Sequence, residues 1–403
     1  MTPTERVEVA IVGGGLAGAA LAARLARAGH EVVVLERSPA WRWHAGGVFS
    51  SPAAVAALRR VGLDDLSVQA VARPIPAMRV EAPGGTWFRL TYGAEDGGSP
   101  AVGFDRSRLD PAMLDVARGA GANVRLGVTV MSAALDELEL DIRGPDGRPG
   151  KLRASVIVGA DGPRSLVASA AGVARPVRMA PRVGLTYHLE DPQPTTSRDA
   201  RMRVFRGGYV GIAPVAGGRV NVGIVLGSSW RAVLARDGAE AVARSIVAAV
   251  PPTSDDTARW RDGRRCDPIA GAWPLGHRVT RRAGPGWLLV GDAAGFLDPF
   301  TGEGLHRALV STELAAAAIE ARTAGRTGAF GAYDRAMQRR FLAKDAVSWL
   351  VQAFLARPAL FEYAARRVAA RPRVRATMGL VMGDLIPAGR ALHPRYLAAL
   401  LAP

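Results

Sequence analysis

The sequence predicts a mixed α/β chain: a doubly wound nucleotide-binding region, an antiparallel sheet set into it, and a C-terminal helical region. Three observations predict it. A strand, a glycine turn, a helix and a second strand follow one another from Val7 to Arg37. Several stretches of alternating apolar residues lie between Val183 and Leu226, with glycine pairs at Gly207-Gly208 and Gly217-Gly218. After Gly331, apolar residues recur at helical spacing with arginines between them.

The opening unit is the most specific. Val7 to Val12 is an apolar run that reads as a buried parallel strand. Gly13, Gly15 and Gly18 follow at G-x-G-x-x-G spacing, and an alanine-rich helix runs to Ala28 before the stop at Gly29. The second run, Val32 to Leu35, ends on Glu36. Gly13 permits the tight turn, Gly15 lets the backbone approach a pyrophosphate, and Gly18 lets helix pack on strand. The helix N-terminus points free N–H groups at the phosphates. Glu36 stands where a carboxylate accepts both hydroxyls of an adenosine ribose, which disfavours a 2′-phosphate. A bare glycine turn would not come with strand, helix, second strand and terminal acid in this order. The unit predicts an adenine dinucleotide and leaves NAD and FAD open.

At 403 residues the chain can hold two or three domains around a sizeable core. Its single cysteine, Cys266, excludes an intramolecular disulfide and a cysteine metal site. No charged-then-apolar leader precedes Val7, and no run of eighteen uncharged apolar residues occurs, so a cytoplasmic protein is expected. The net charge of +16 rests on arginine, since Lys151 and Lys344 are the only lysines. Between Arg335 and Pro403 twelve basic residues face three acids, so nine of the sixteen charges lie there. No aromatic-interleaved module accompanies them, and nucleic acid is not expected as a partner.

The rest of the chain places further motifs. Ser38-Pro39 and Gly46-Gly47 bound a loop carrying His44, the one titratable side chain there besides arginines, and a helix follows from Pro52 to Val61. Pro74 to Tyr92 reads as a hairpin broken at Pro83-Gly84-Gly85, closed by a polar loop from Gly93 to Pro100. A helix is expected from about Pro111 to Gly119, a strand ending near Val130, and a second hairpin turning at Asp146-Gly147. The strand Val156 to Val158 runs into Gly159-Ala160-Asp161-Gly162-Pro163-Arg164-Ser165. There Asp161 is either a dinucleotide contact or a plain helix cap. A helix from Ser229 to Val250 and a basic linker from Arg259 to Arg265 come next. A last buried strand, Trp287 to Val290, ends in Gly291-Asp292, followed by Pro299, Gly302, Gly304 and a long helix from about Leu305. Asp292 can bind a ribityl hydroxyl, and the Gly302-Glu303-Gly304 turn can aim helix N–H groups at the pyrimidine edge of a flavin.

With these motifs placed, the chain resembles the FAD-dependent oxidoreductases of the p-hydroxybenzoate-hydroxylase fold, over roughly residues 5 to 330. The resemblance rests on VGGGLAG at Val12–Gly18 with Glu36, DRSRLD at Asp105–Asp110, GADGPRS at Gly159–Ser165 and GDAAGFLDPFTGEG at Gly291–Gly304. It implies a Rossmann-type FAD-binding domain (GR2-like), an antiparallel-sheet substrate domain and a C-terminal helical region. The FAD-binding domain would take residues 1–72, 101–178 and 275–330, the substrate domain 73–100 and 179–274, and the helical region 331–403. FAD contacts are implied at Gly13, Gly15, Ala17, Gly18, Glu36 and Arg37, at Arg106, Val130 and Asp161, and at Asp292, Pro299, Gly302, Gly304 and Leu305. Catalytic residues are not fixed; His44 and Tyr209 are the candidates. Phe49, Tyr209, Gly211 and Trp273 are expected to line the substrate pocket.

For the reaction, the resemblance implies an NAD(P)H-dependent monooxygenase that hydroxylates an apolar or phenolic small molecule, NAD(P)H docking transiently as reductant. The alternative is a geranylgeranyl-reductase-like enzyme acting on a polyprenyl or lipid-like alkene. GDAAGFLDPFTGEG and YVGIAPVAGGRVNVGIVL are similar to that branch, although Gly211 and Ala213 replace two of its aromatics and HAGGVF lacks its cysteine. A non-catalytic FAD-binding protein is the minor reading. Gly211 and Ala213 predict a wide, apolar pocket and a lipophilic substrate. The basic C-terminal helices are expected to cap the substrate domain with a solvated arginine face, in preference to lying on an anionic membrane.

Overall fold

The computed structural model describes residues 4–93, 99–177, 179, 181–191, 198–251 and 263–401. The polar loop 93–100 and the basic linker 259–265 therefore lie partly outside the described residues.

The opening unit folds as its sequence pattern dictates. Glu5–Val12 pairs in parallel with Val32–Glu36 on one side and with Pro149–Gly159 on the other. The helix between the first two, α1 (Leu16–Arg27), is buried around most of its circumference because alanines let it lie close to the sheet. The sheet continues through Asn123–Leu126 at one edge and Trp287–Leu289, then Ala283–Gly284, at the other. An antiparallel hairpin, Thr129–Ala134 and Glu139–Arg143, attaches to Pro149–Gly159 and carries Val130. Helix α2 (Pro52–Val61) has the expected bounds, and α3 (Asp65–Val71) follows it.

Helix α4 begins earlier than expected, at Arg106, and runs to Gly119. The Asp105 side chain accepts from Ser107 N at 3.0 Å and caps it, and Pro111 sits inside. The sequence reading gave the start to proline; the cap at Asp105, six residues upstream, sets it instead. A short helix, α5 (Leu166–Ala170), follows the Asp161 motif.

Val183–Glu190, Ala200–Phe205, Gly208–Val215 and Arg219–Leu226 form the centre of a seven-stranded sheet. The hairpin Met78–Glu81/Trp87–Leu90 joins it through a parallel pair with Ala200–Phe205, and Ala270–Ala272 closes the far edge. Helix α6 (Arg231–Ala248) packs on one face of this sheet through Val242, Ala243, Ile246 and Val247. It is broken at Gly238 (φ 78°), so the single helix expected from Ser229 is two pieces; glycine has no Cβ to resist that conformation.

The long helix α7 (Gly304–Thr323) packs on α1 and α2. The C-terminal region is helical throughout: α8 (Ala329–Leu355), α9 (Pro358–Ala370), α10 (Pro372–Met382), α11 (Gly389–Leu392) and α12 (Pro394–Leu401). Prolines open α9, α10 and α12, where a missing N–H costs nothing. Among the described residues no helix is long and apolar enough to cross a membrane.

Candidate cofactor and active site

Two helix N-termini converge on one region. Neither α1 nor α7 has a side-chain cap, as is also true of α2, α6, α8, α9 and α10; α1 and α7 differ in following glycine turns with open space above them. The glycines hold them in place. A Cβ at Gly18 would lie 1.9 Å from Gly13 O, and one at Gly13 (φ 104°) 2.5 Å from Ala160 O. Nothing lies within 4 Å of a Cβ at Gly15 or Gly304, so the space above both turns is open. A Cβ at Gly291 would meet that of Ala17 at 2.7 Å, so α1 and the Asp292 turn are in contact. Gly302 (φ 66°) faces Phe49, whose ring carbon would be 2.6 Å from its Cβ.

The carboxylates are arranged around this space. Glu36 accepts from Gly14 N and Ser38 N, both at 2.8 Å, one on each oxygen. Each oxygen keeps a lone pair for a ribose hydroxyl. Arg37, next in the chain, is exposed. Asp161 fits the helix-cap reading through Oδ2, which accepts from Leu166 N at 2.6 Å and holds α5, while Oδ1 is buried with no partner. Burial pushes its carboxyl up, opposed by these hydrogen bonds. Burial likewise raises Asp292, opposed by the charges of Arg106 and Arg307. Arg106 is fixed by a two-point contact with Asp110 (2.9 and 3.0 Å) and donates to Gly47 O at 2.9 Å. That bond ties the His44 loop to α4.

The same loop touches the second sheet. Trp43 donates to Pro268 O at 3.1 Å and its ring lies 4.5 Å from that of His188. His188 Nδ1 is 2.6 Å from Asp267 Oδ2, and burial lowers its pKa despite that carboxylate. Strand alternation gives α6 the face carrying Leu185, Tyr187, Val222 and Ile224, and turns Thr186, His188, Asn221, Gly223, Gly211, Ala213 and Tyr209 to the other. Gly211 and Gly223 are directly opposite one another, beside Thr186. This face meets the Pro299 turn, where Tyr209 and Phe300 rings pack edge to face at 5.1 Å.

Two expectations need correction. The Tyr209 hydroxyl donates to Asp298 Oδ1 at 2.6 Å, and Asp298 is paired with Arg182 at 2.9 Å. Burial and that carboxylate raise the phenol well above its usual range, so Tyr209 holds the turn and keeps its proton. Trp273 is 53% exposed beside the edge strand Ala270–Ala272, so it does not line an enclosed pocket. His44 is exposed, with Nδ1 2.9 Å from Arg42 O. The sequence reading did not single out His188, whose signal was strand alternation, Asn221, which lay inside the YVGIAPVAGGRVNVGIVL motif, Asp267, which gave no local signal, or Asp298, whose signal lay inside the GDAAGFLDPF motif.

An open glycine cradle, the N-termini of α1 and α7 behind it, a doubly held Glu36 and the buried, unpartnered Asp161 Oδ1 fit a dinucleotide with a long polar tail. The fold and this site define a flavin-dependent oxidoreductase. The family described as FAD binding domain matches residues 6–336, and the chain belongs to it. It is 28% identical to a menaquinone reductase of Mycolicibacterium smegmatis, over 94% of this chain and 92% of that one. It is 31% identical to a digeranylgeranylglycerophospholipid reductase 2 of Methanopyrus kandleri, over 78% of each. Among solved structures, a flavoprotein/dehydrogenase from Cytophaga hutchinsonii superposes with a TM-score of 0.79 at 18% identity, covering 98% of this chain and 95% of that one. The protein is an FAD-dependent enzyme.

Proposed function

We propose that the enzyme reduces a carbon–carbon double bond in an elongated, prenyl-bearing small molecule, with NAD(P)H as the transient reductant of its FAD. The observation that carries this is the bare strip Gly223–Gly211–Ala213 on the sheet face turned toward the Pro299 turn. Gly211 and Gly223 carry no side chain there and Ala213 only a methyl, with Met202 3.3 Å from where a Gly211 Cβ would stand, so the strip suits a slender isoprenoid chain, and its far end is polar, with Thr186, Asn221 and His188. Two reductases that match most of the chain, one of menaquinone and one of a digeranylgeranyl phospholipid, support the same substrate class.

Bound FAD would supply the hydride. Glu36 and Asp161 would hold the adenosine half, and Asp292 the ribityl chain. The open N-termini of α1 and α7 would meet the pyrophosphate and the pyrimidine edge. Phe49 would stand against the ring system through its contact with Gly302. Arg106 holds the His44 loop against this edge, which makes His44 the candidate for delivering the proton that double-bond reduction requires.

Monooxygenation is the second reading. The polar row Thr186–Asn221–His188, with Asp267 behind it, suits a phenolic hydroxyl, and the His44 loop lacks the cysteine of the geranylgeranyl-type reductases. One experiment separates the two. The FAD-loaded enzyme is reduced without oxygen and mixed either with prenylated quinone or with O₂ and phenols. Anaerobic reoxidation by the quinone, with two hydrogens added to a side-chain double bond that persist after the ring is reoxidised in air, supports the reductase. Reoxidation only by O₂, with an oxygen atom entering the phenol, overturns it.

A further inference from the structure

Behind the Gly302-Glu303-Gly304 turn lies a buried ionic cluster that binding a cofactor does not by itself explain. It is assembled from four separate segments. Asp384, in the turn after α10, accepts from Lys344 Nζ at 2.7 Å and from Ser51 Oγ at 2.8 Å. It also lies 3.1 Å from His306 Nδ1 on α7. Lys344 Nζ donates to Val381 O at 2.9 Å and stands 3.5 Å from Glu303 Oε2. Ser348 Oγ donates to Glu303 Oε1 at 3.2 Å. One of the only two lysines in the chain is thus buried, where a compact ammonium reaches two carboxylates and a carbonyl at once.

Glu303 is the unbalanced member. Its Oε2 is buried with no hydrogen-bond partner, while the side chain as a whole keeps 13% exposure. The charged groups around it pull in both directions. On α7 they are His306 and Arg307, on α8 Lys344 and Asp345, and beyond α10 Asp384, while Asp292 acts through Arg307. Burial and Asp384 favour the neutral acid; Lys344 and Arg307 favour the carboxylate, and the balance lies above the ordinary glutamate range. A further negative charge brought to the turn tips such a group toward protonation.

We propose that Glu303 is a proton-holding residue of the cofactor site, taking up one proton from solvent when electrons give a bound flavin negative charge at this turn. The inference rests on reading Gly302–Gly304 as the flavin-facing turn. The balance is simple. The reductant supplies two electrons together with the flavin's own proton, and solvent supplies one more proton, which forms an O–H bond on the Glu303 carboxylate. Lys344 and Asp384 are positioning residues that set when this happens, so the C-terminal helices take part in the redox chemistry.

The test is the pH dependence of the two-electron midpoint potential of the FAD-loaded protein, read against reference dyes. Each proton taken up per electron pair changes the equilibrium tenfold per pH unit, about 30 mV for a two-electron couple. Over a pH window above the ordinary glutamate range the wild type is expected to take up one proton more than Glu303→Gln. In Lys344→Met that steeper segment is expected to move to higher pH, because the lost cation favours the neutral acid. A loss of packing alone would change neither proton count nor window. Equal slopes in wild type and Glu303→Gln overturn the proposal. If Glu303→Gln holds no FAD, an unmoved segment in Lys344→Met overturns it. A folded wild-type chain that fails to retain FAD refutes the underlying cofactor reading instead.

Discussion

Replacing Tyr209 by Phe distinguishes a catalytic phenol from a structural one. The substitution deletes one hydroxyl and leaves the ring packed against Phe300. Asp298 loses a 2.6 Å bond but keeps Arg182 and the backbone N–H of Phe300. One buried hydrogen bond to a charged group is worth about 1.5–3 kcal/mol. With an unfolding entropy of about 2.1 cal/mol/K per residue, a 403-residue chain unfolding as one unit has about 0.85 kcal/mol/K. The expected fall in Tm is therefore about 2–4 °C, measurable by calorimetry on the FAD-loaded protein. Turnover is expected to keep its pH profile, since a phenol held in its protonated form contributes no limb to it. An unchanged Tm together with loss of a limb of the pH–rate profile would refute this reasoning and restore Tyr209 as the proton donor.

Gly18→Ala puts a methyl group 1.9 Å from Gly13 O, so purified protein is expected to carry almost no flavin by its visible absorbance; retention at the wild-type level would show that α1 can shift. Glu36→Ala strands the N–H groups of Gly14 and Ser38 and removes the ribose acceptor, and FAD is expected to bind about 100-fold more weakly, about 3 kcal/mol. Titration calorimetry on the apoprotein checks it, and an unchanged Kd would place the ribose elsewhere. His188 and His277 both have pKa values lowered by burial. Stability from their neutral rings is fully present above the unfolded value of about 6.5 and lost as pH falls through the lower folded-state values. Urea melts at successive pH values are expected to show this loss on the acid side, and a smaller one in His188→Gln; equal losses would mean that His188 is already protonated in the folded chain.

Much of the fold was legible because its signals are local. The glycine spacing, the apolar run Val7–Val12 and the acid at Glu36 lie within thirty residues, and the structure assembles them in that order. The chain's FAD-dependent oxidoreductase character followed from the same short motifs. What was not legible depends on partners far apart. Tyr209 meets Asp298 89 residues on, and His188 meets Asp267 79 residues on. A hydroxyl free to react and one committed to a carboxylate look the same in sequence. Ser51, Lys344 and Asp384 gave no common signal, because only the packing of α7 and α8 brings them together. The start of α4 was misplaced because Pro111 is a stronger local mark than a capping aspartate.

The segments that surround the candidate cofactor site leave the ribosome at very different times. Asp384, which links α7 through His306 to α8 through Lys344, comes about 350 residues after Glu36, roughly 20–70 s at typical translation rates. For that interval the nascent chain has its adenosine-binding end without the elements that close the other. Flavin supply during synthesis therefore matters less than flavin supply after release, and a cell short of flavin would accumulate complete but unloaded chains. Feeding flavin to cells after translation is blocked should rescue activity from such a pool.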